Sequence, residues 1–372
     1  MKLLIAGGGT GGHLFPAIAI AKAFLNADEQ NEVLFVGTKR GLEKKVLDKE
    51  GFRLEYINVQ PLVGKGLFGK VKSLLTLPLS ILEARSLIKK FNPDFALGVG
   101  GYASGPVILS AKFMGIKTGI QEQNILPGVA NRILGKIVDL VFLAFKEAKL
   151  FFKEGKVCIT GNPIRQSLFD VDVKDAYDIF SFDENKFTVL VFGGSLGAES
   201  INKAFVENLN NFNGIKDDIQ IIHQTGEKGY DFVRKSYENA GVKSFVAPFI
   251  FNMHDAYAVA DIIICRAGAT TISEVSALEK AVILVPYPHA AGDHQTKNAE
   301  SLANQNAAIM VKDEDLSDYL VEILMELYNK KEKLIELREN IGRLKKLDAA
   351  NEIVKIILEK VAVKSTDVSS ES

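Results

Sequence analysis

Two apolar runs, Lys2–Ala6 and Thr188–Phe192, each lead directly into a glycine-rich turn and then a helix-like segment. The first turn reads Gly7-Gly8-Gly9-Thr10-Gly11-Gly12-His13 and the second Gly193-Gly194-Ser195-Leu196-Gly197-Ala198. A strand that ends in such a turn and feeds a helix opens a βαβ unit, and such units build parallel sheets covered by helices. The alternation continues behind each opening. Short apolar runs follow the first at Glu32–Val36, Arg53–Val59, Asp94–Val99, Thr118–Glu122, Leu140–Phe145 and Val157–Thr160. The second is followed by Gln220–Gln224, Phe245–Pro248, Ile262–Cys265, Val282–Val285 and Ala308–Val311. Several are apolar throughout, as strands buried on both faces are.

The fold class is therefore read as α/β, with two Rossmann-like domains of similar size. A chain of 372 residues is long enough for both to bury a core. Gly161-Asn162-Pro163 breaks the pattern, so residues 1–163 form the first domain and 164–348 the second. A last helix is expected at about 349–363, and a disordered polar tail at 365–372. The acidic segment Asp170–Asp183 reads as a surface connection, and its Asp170-Val171-Asp172 as a solvated loop rather than a metal-binding D-x-D.

Bulk charge does not favour wrapping around nucleic acid and leaves only a local basic patch open. The 45 Lys+Arg against 46 Asp+Glu leave a net charge of −1. Two cysteines, Cys158 and Cys265, are too few for a disulfide framework and suit a reducing cytosol. No apolar stretch is long enough to span a bilayer, and the opening run stops at Gly7, short of a signal-peptide core. Any membrane contact is expected to be peripheral. Its candidate is Lys65–Lys90, where an uncharged run, Ser73–Leu82, is rimmed by Lys65, Lys70, Lys72, Arg85, Lys89 and Lys90. Leu74, Leu75, Leu79 and Leu82 supply its apolar face, although an ordinary core-facing helix fits the same pattern.

Chemistry concentrates after the strands. Gly7, Gly9 and Gly12 satisfy G-x-G-x-x-G, which brings backbone N–H groups and a helix N-terminus to an anionic ligand. NAD would need an acid ending the second strand, which instead runs Val36-Gly37-Thr38-Lys39-Arg40; Arg40 leaves NADP open. A Walker A loop fails, because His13 and Leu14 stand where Lys and Ser/Thr are required. His13 itself can work near neutral pH, or can simply sit at the surface. Arg266-Ala267-Gly268-Ala269-Thr270-Thr271-Ile272-Ser273-Glu274 is a third small-residue turn opening a helix. It suits phosphate, with Glu274 placed either to accept ribose hydroxyls or to stabilise the helix start. Asp293-His294-Gln295-Thr296 and Asn298 gather polar groups after the run Val282–Val285. His289, Asp293 and His294 fit no zinc spacing, so no metal is expected.

In combination these motifs resemble a family. Gly8-Gly9-Thr10-Gly11-Gly12-His13, Gly100-Gly101-Tyr102-Ala103-Ser104-Gly105-Pro106, Glu122-Gln123-Asn124 and Gly161-Asn162-Pro163-Ile164-Arg165 occur in order. Gly193-Gly194-Ser195, Arg266–Glu274 and Asp293–Asn298 follow. The chain resembles the MurG family, the bacterial UDP-N-acetylglucosamine:undecaprenyl-pyrophosphoryl-muramoyl-pentapeptide N-acetylglucosaminyltransferases of peptidoglycan synthesis, from about Leu3 to the last helix. The resemblance implies the GT-B fold, two Rossmann-like domains with parallel sheets facing across a deep cleft and a last helix crossing back. It implies a peripheral enzyme on the cytoplasmic face of the membrane, binding its anionic surface. The second domain would take UDP-N-acetylglucosamine and the first the undecaprenyl-pyrophosphoryl-MurNAc-pentapeptide acceptor, with no cofactor required.

Carried over by motif, Ile250 would contact uracil through its backbone and Arg165 would lie near the nucleotide. Ser195, Ala269, Thr270 and Thr271, with Ile272 and Ser273 behind them, would meet the diphosphate. Glu274 would hold the ribose, while Gln295 and Asn298 would read sugar hydroxyls. Thr10, Gly11, Gly12 and Asn124 would complete the donor–acceptor junction, with Gly9, Tyr102 and Ser104 on the acceptor side. The implied reaction is inverting and needs a base for the C4 hydroxyl of the acceptor. His13 is the candidate, with Glu122 beside it. The family often places His before Glu-Gln-Asn, but Gln121 stands there and cannot serve as a base. Leu196 likewise replaces a frequent Gln after Gly-Gly-Ser. The rival readings are an NADP-dependent oxidoreductase, a silent nucleotide-sugar-binding module and a UDP-N-acetylglucosamine 2-epimerase.

Overall fold

The computed structural model describes residues 1–9, 11–38, 43–59, 67–194, 196–212 and 214–369; at 43, 45, 67–76, 291 and 363–369 it describes the backbone alone. The chain divides into two compact units, Met1–Arg165 with Leu347–Ser372, and Gln166–Lys346.

The first unit runs β1 (Lys2–Gly7), α1 (Gly11–Ala27), β2 (Glu32–Gly37), α2 (Glu43–Lys49), β3 (Leu54–Tyr56) and α3 (Leu67–Phe91). It continues with β4 (Phe95–Gly100), α4 (Ser104–Phe113), β5 (Lys117–Glu122), α5 (Val129–Leu134), β6 (Leu140–Leu143) and β7 (Val157–Ile159). All neighbours pair in parallel, in the order β3-β2-β1-β4-β5-β6-β7. The chain moves outward from β1 to β3 and then returns to β4 on the other side. The carboxyl ends of β1 and β4 therefore flank the topological switch point, where open α/β sheets bind ligands.

Alternation along β1 feeds a core on each face. Leu4 and Ala6 join Leu34, Val36, Val107 and Ile108 on one side. Leu3 and Ile5 join Phe35 and the α1 residues Leu14, Ile18 and Phe24 on the other. Helix α1 starts at Gly11 and carries Pro16 inside it, earlier than the proline alone indicates.

The second unit contains α6 (Val173–Phe180), β8 (Phe187–Phe192), α7 (Glu199–Asn208), β9 (Ile219–Gln224), α8 (Tyr230–Ala240), β10 (Ser244–Ala247) and α9 (Met253–Val259). Then come β11 (Ile262–Cys265), α10 (Ala269–Ala277), β12 (Ala281–Leu284), α11 (His294–Ala303), β13 (Ile309–Met310), α12 (Leu316–Asn329) and α13 (Lys331–Gly342). Its parallel sheet has the order β10-β9-β8-β11-β12-β13, so its switch point lies at β8 and β11. The acidic segment expected to be a plain connection contains α6. Asp172 caps it, accepting the N–H groups of Lys174 and Asp175, and Ala176 and Phe180 face the core.

Helix α14 (Ala349–Ser369) belongs to the first unit and buries Ile353, Val354 and Ile357 in the same cluster as α1. Each such side chain contributes about 1.5–3 kcal/mol by leaving water. The helix continues through the polar stretch expected to be disordered from Ser365, because extending an existing helix costs far less than starting one. Among the described residues no helix is long and apolar enough to cross a membrane.

Candidate active site

In the first unit two glycine turns press together at the switch point. Gly7 has φ 145° and a β-carbon there would lie 2.2 Å from the carbonyl oxygen of Gly100. A β-carbon on Gly101, at φ 81°, would lie 2.4 Å from the carbonyl oxygen of Gly8. Only glycine permits this approach. It leaves Gly9 and Gly12 exposed at the carboxyl end of β1, and Tyr102 exposed after β4. Thr10 lies outside the described residues.

His13 sits in the first turn of α1, half-buried, with its imidazole against Gly100; a β-carbon on that glycine would come within 2.6 Å of the ring. Its Nδ1 lies 3.2 Å from Oε1 of Gln123, 110 residues away in the chain. Arg165, reached from β7, stacks its guanidinium 4.6 Å from the ring centre of Phe15 on α1.

Glu122 at the end of β5 and Ser104 at the start of α4 depart from expectation. Glu122 is buried and both carboxylate oxygens serve its own loop. One accepts the N–H of Asn124 at 3.0 Å and its side-chain amide at 3.3 Å. The other accepts the N–H of Gly128 at 3.1 Å and the side chain of Asn131 at 2.8 Å. This carboxylate shapes the 122–131 turn and holds Asn124; it is not placed as a base. Ser104, expected to face the acceptor, is 0 % exposed, with its hydroxyl packed over Gly98. The helix α4 begins there, and its first turn points into the sheet.

In the second unit, Gly197 and Gly226 make a comparable close approach. A β-carbon on Gly197 would lie 2.0 Å from the Thr225 carbonyl oxygen, and one on Gly226 2.0 Å from that of Leu196. Gln224 ties these turns together. Its amide donates to the carbonyl of Gly194 at 2.9 Å, and its oxygen accepts the N–H of Ile250 at 2.8 Å. The backbone N–H of Ile250 is thus engaged within the protein. Leu196 is exposed; Ser195 lies outside the described residues.

Helix α10 starts at the carboxyl end of β11 with Gly268 as its cap and Ala269, Thr270 and Thr271 in its first turn. First-turn N–H groups have no acceptor one turn earlier within a helix, which makes this end a ready anion cradle. Ile272 departs from expectation: its side chain is buried and its N–H bonds Gly268 at 2.9 Å. Ser273 returns its hydroxyl to Ala269 at 2.9 Å. Glu274 is 5 % exposed, and its Oε2 accepts the hydroxyl of Tyr257 on α9 at 3.0 Å.

Gln295 is half-buried and accepts the N–H of Tyr287 at 3.0 Å through its oxygen, which turns its amide donors the other way. Asn298, expected to read sugar hydroxyls, is enclosed. It is 0 % exposed and donates to the Ala267 carbonyl at 3.2 Å, bracing the turn before α10. Among the described residues no group of three or more His, Cys, Asp or Glu could hold a metal ion.

Sequence reasoning missed the residues that hold these turns. Gln123 and Gln224 are buried amides at strand ends, and Arg266 spans the carbonyls of Val285 and Pro286, the Ser200 hydroxyl and Asp313. A polar residue directly after an apolar strand was the available signal for Arg266, whereas β5 and β9 carry other polar residues and left Gln123 and Gln224 unmarked.

Comparison with known proteins fits this layout. Residues 3–143 match the glycosyltransferase family 28 N-terminal domain and residues 188–353 its C-terminal domain. A Myxococcus xanthus protein named UDP-N-acetylglucosamine--N-acetylmuramyl-(pentapeptide) pyrophosphoryl-undecaprenol N-acetylglucosamine transferase is 46% identical over 360 residues, covering 96% of this chain and 93% of that one. The crystal structure of Acinetobacter baumannii MurG superposes with a TM-score of 0.75 at 28% identity, covering 96% of this chain and 99% of that one. The chain belongs to the MurG family.

Another similar member, from Citrifermentans bemidjiense and carrying the same transferase name, is 46% identical over 97% of this chain and 100% of its own. As in MurG, the fold is GT-B, built from two Rossmann-like domains. The Neisseria meningitidis UDP-GlcNAc 2-epimerase shares that fold alone, with a TM-score of 0.67 at 16% identity over 96% of this chain and 100% of that one.

Proposed function

We infer that this MurG-family chain transfers N-acetylglucosamine from UDP-N-acetylglucosamine to the C4 hydroxyl of undecaprenyl-pyrophosphoryl-N-acetylmuramoyl-pentapeptide, converting lipid I to lipid II in peptidoglycan synthesis. The observation that carries the reading is 46% identity, over nearly the whole chain, to proteins bearing that transferase name.

The second unit is the donor domain in this reading. The first turn of α10 (Ala269, Thr270, Thr271), with Ser195, binds the diphosphate. Glu274, oriented by Tyr257, accepts ribose hydroxyls, and Ile250 offers its carbonyl to the uracil. Gln295 donates to the sugar. Arg165 lies near the nucleotide, Thr10, Gly11, Gly12 and Asn124 belong to the donor–acceptor junction, and Gly9 and Tyr102 are on the acceptor side. His13 takes the proton. The acceptor oxygen forms its bond to the anomeric carbon from the face opposite the diphosphate, the bond from that carbon to the diphosphate oxygen breaks, and the hydroxyl proton moves to the imidazole. General base assistance of this kind contributes about 10²–10⁴-fold. The charge gathered by the leaving diphosphate is met by N–H groups already oriented at the start of α10.

Attachment is read as peripheral, at the cytoplasmic face of the membrane. Leu79 and Leu82 are each 61% exposed on α3, beside exposed Arg85, Lys89 and Lys90, and Phe113 is exposed at the end of α4, which packs against α3. Apolar insertion with a basic rim favours an anionic lipid surface. The side chains of Lys72, Leu74 and Leu75 lie outside those described, as does Arg40 of the NADP alternative.

Product analysis tests the function. With UDP-N-acetylglucosamine and a soluble analogue of the lipid acceptor, mass spectrometry should show the acceptor gaining one N-acetylhexosamine, with a β-1,4 linkage by NMR. Conversion of the sugar nucleotide to an epimer, with the acceptor unchanged, would select the epimerase reading instead.

A further inference from the structure

Behind His13 lies a chain of buried amides whose donor and acceptor ends can be assigned one by one. Gln123 is 2% exposed and Gln121 and Asn162 are equally enclosed. The side-chain amide of Gln123 approaches the carbonyl oxygen of Val99 at 2.8 Å. A carbonyl oxygen only accepts, so the NH2 of Gln123 must face Val99 and its Oε1 must face His13. The partner at 3.2 Å from that oxygen is the His13 Nδ1, which therefore carries a hydrogen. The same NH2 also donates to Oε1 of Gln121, and that choice fixes the next amide. The NH2 of Gln121 donates to Oδ1 of Asn162 at 2.9 Å. Every bond in the series thus points away from the imidazole. Burial makes each of these assignments costly to reverse, since flipping one amide would set oxygen against oxygen in a low-dielectric interior.

We propose that Gln123 is a positioning residue for His13, holding its imidazole as the Nδ1–H tautomer so that the basic lone pair sits on Nε2. Packing of the ring against Gly100 fixes its plane, while Gln123 fixes which nitrogen is basic. Gln121 supports Gln123 in turn: it offers one acceptor and one donor at opposite ends of its amide, the two roles that a neutral imidazole would fill at that position. The charged groups on neighbouring elements are otherwise committed, Glu122 to its own loop and Arg165 to the face of Phe15. A neutral acceptor behind the histidine orients the ring without placing a full negative charge beside it.

The catalytic consequence rests on the reading of His13 as the base; the tautomer does not. Nitrogen NMR of the full-length protein labelled at its five histidines, with the His13 signal identified by His13→Ala, reads the tautomer directly. The expected spectrum shows a protonated Nδ1 and an unprotonated Nε2 in the neutral ring. A protonated Nε2 with a bare Nδ1 overturns the proposal whatever His13 does in the reaction. Two variants extend the test. Gln123→Leu should give a mixture of tautomers and lower kcat by at least about 10-fold, with KM for UDP-N-acetylglucosamine unchanged. Gln123→Glu keeps an acceptor for Nδ1 and adds a charge, at the cost of setting its second oxygen against the Val99 carbonyl and lowering the melting temperature; in the folded variant kcat should recover relative to the leucine variant, and the His13 titration and the acid limb of kcat/KM should move together to higher pH by about one unit or more. A His13 titration that does not respond to Gln123→Glu also overturns it. If the tautomer and titration respond but kcat does not, the base reading fails and the positioning of the ring stands.

Discussion

The side-chain oxygen of Gln224 accepts the backbone N–H of Ile250 at 2.8 Å while its amide donates to Gly194 at 2.9 Å. One buried residue at the end of β9 therefore sets the spacing between the Ile250 loop and the Gly194 turn, the two segments proposed to meet the base and the phosphates. Gln224→Leu would remove two neutral hydrogen bonds and strand a carbonyl and an N–H. At about 1 kcal/mol each, UDP affinity should fall about tenfold or more, measured by calorimetry. Wild-type affinity in a folded variant would detach Gln224 from the donor site.

Glu274 needs a pair of variants, because its carboxylate also receives the Tyr257 hydroxyl. Glu274→Gln keeps an acceptor for Tyr257 but weakens the hold on ribose hydroxyls. Loss of hydrogen bonds to a charged group predicts about 1.5–3 kcal/mol weaker UDP binding. Glu274→Ala should lose at least as much affinity and also lower the melting temperature, whereas the glutamine variant should melt close to wild type. Equal UDP affinity in all three proteins would remove Glu274 from the site.

Acid stability of the second unit should carry the signature of His223. The residue is fully buried between the Tyr237 hydroxyl and Asn202, each at 3.1 Å, and burial pushes its imidazole down to about 3. An unfolded histidine binds a proton below about 6.5, whereas the folded one stays neutral until about 3. The unfolded state therefore binds more protons in that window, so the stabilising contribution is complete above pH 6.5 and declines by about 1.4 kcal/mol per pH unit as pH falls toward 3. Thermal unfolding from pH 7 to 4.5 should show a steeper loss for wild type than for His223→Gln. Parallel curves would contradict the assignment.

Leu79 and Leu82 give the membrane reading a direct test. The double variant Leu79→Ser/Leu82→Ser should bind anionic vesicles more weakly in sedimentation, and wild-type binding should decline as salt rises. Turnover of a soluble acceptor should not change. Equal vesicle binding by both proteins would rule out this face.

Strands such as β8 and β11 were legible because they are buried on both faces and carry almost no polar residue. Ile262–Cys265 appears with the bounds its apolar run gives, and β8 differs from its run only by Phe187. The run Arg53–Val59 is longer than β3, Leu54–Tyr56, because an edge strand pairs only where its single neighbour reaches it. The turns were legible through their glycines, but which polar side chain faces a ligand was not. Glu122 and Asn298 stand in motifs beside residues placed to act, yet Glu122 spends its oxygens on its own turn and Asn298 donates to the turn before α10. Nothing local distinguishes such a brace from a contact. The distinction depends on partners such as Gln123, which meets His13 from 110 residues away.

Acceptor-dependent UDP release at saturating substrates, compared between wild type and His13→Ala, bears most directly on the central claim that His13 is the base for N-acetylglucosamine transfer. Wild type should release UDP only when acceptor is present, and the variant should show kcat lower by roughly 10²-fold or more, UDP affinity nearly intact, and loss of the wild-type acid limb expected in the histidine range. A variant kcat within a few-fold of wild type, or an acid limb that survives the substitution, would contradict it.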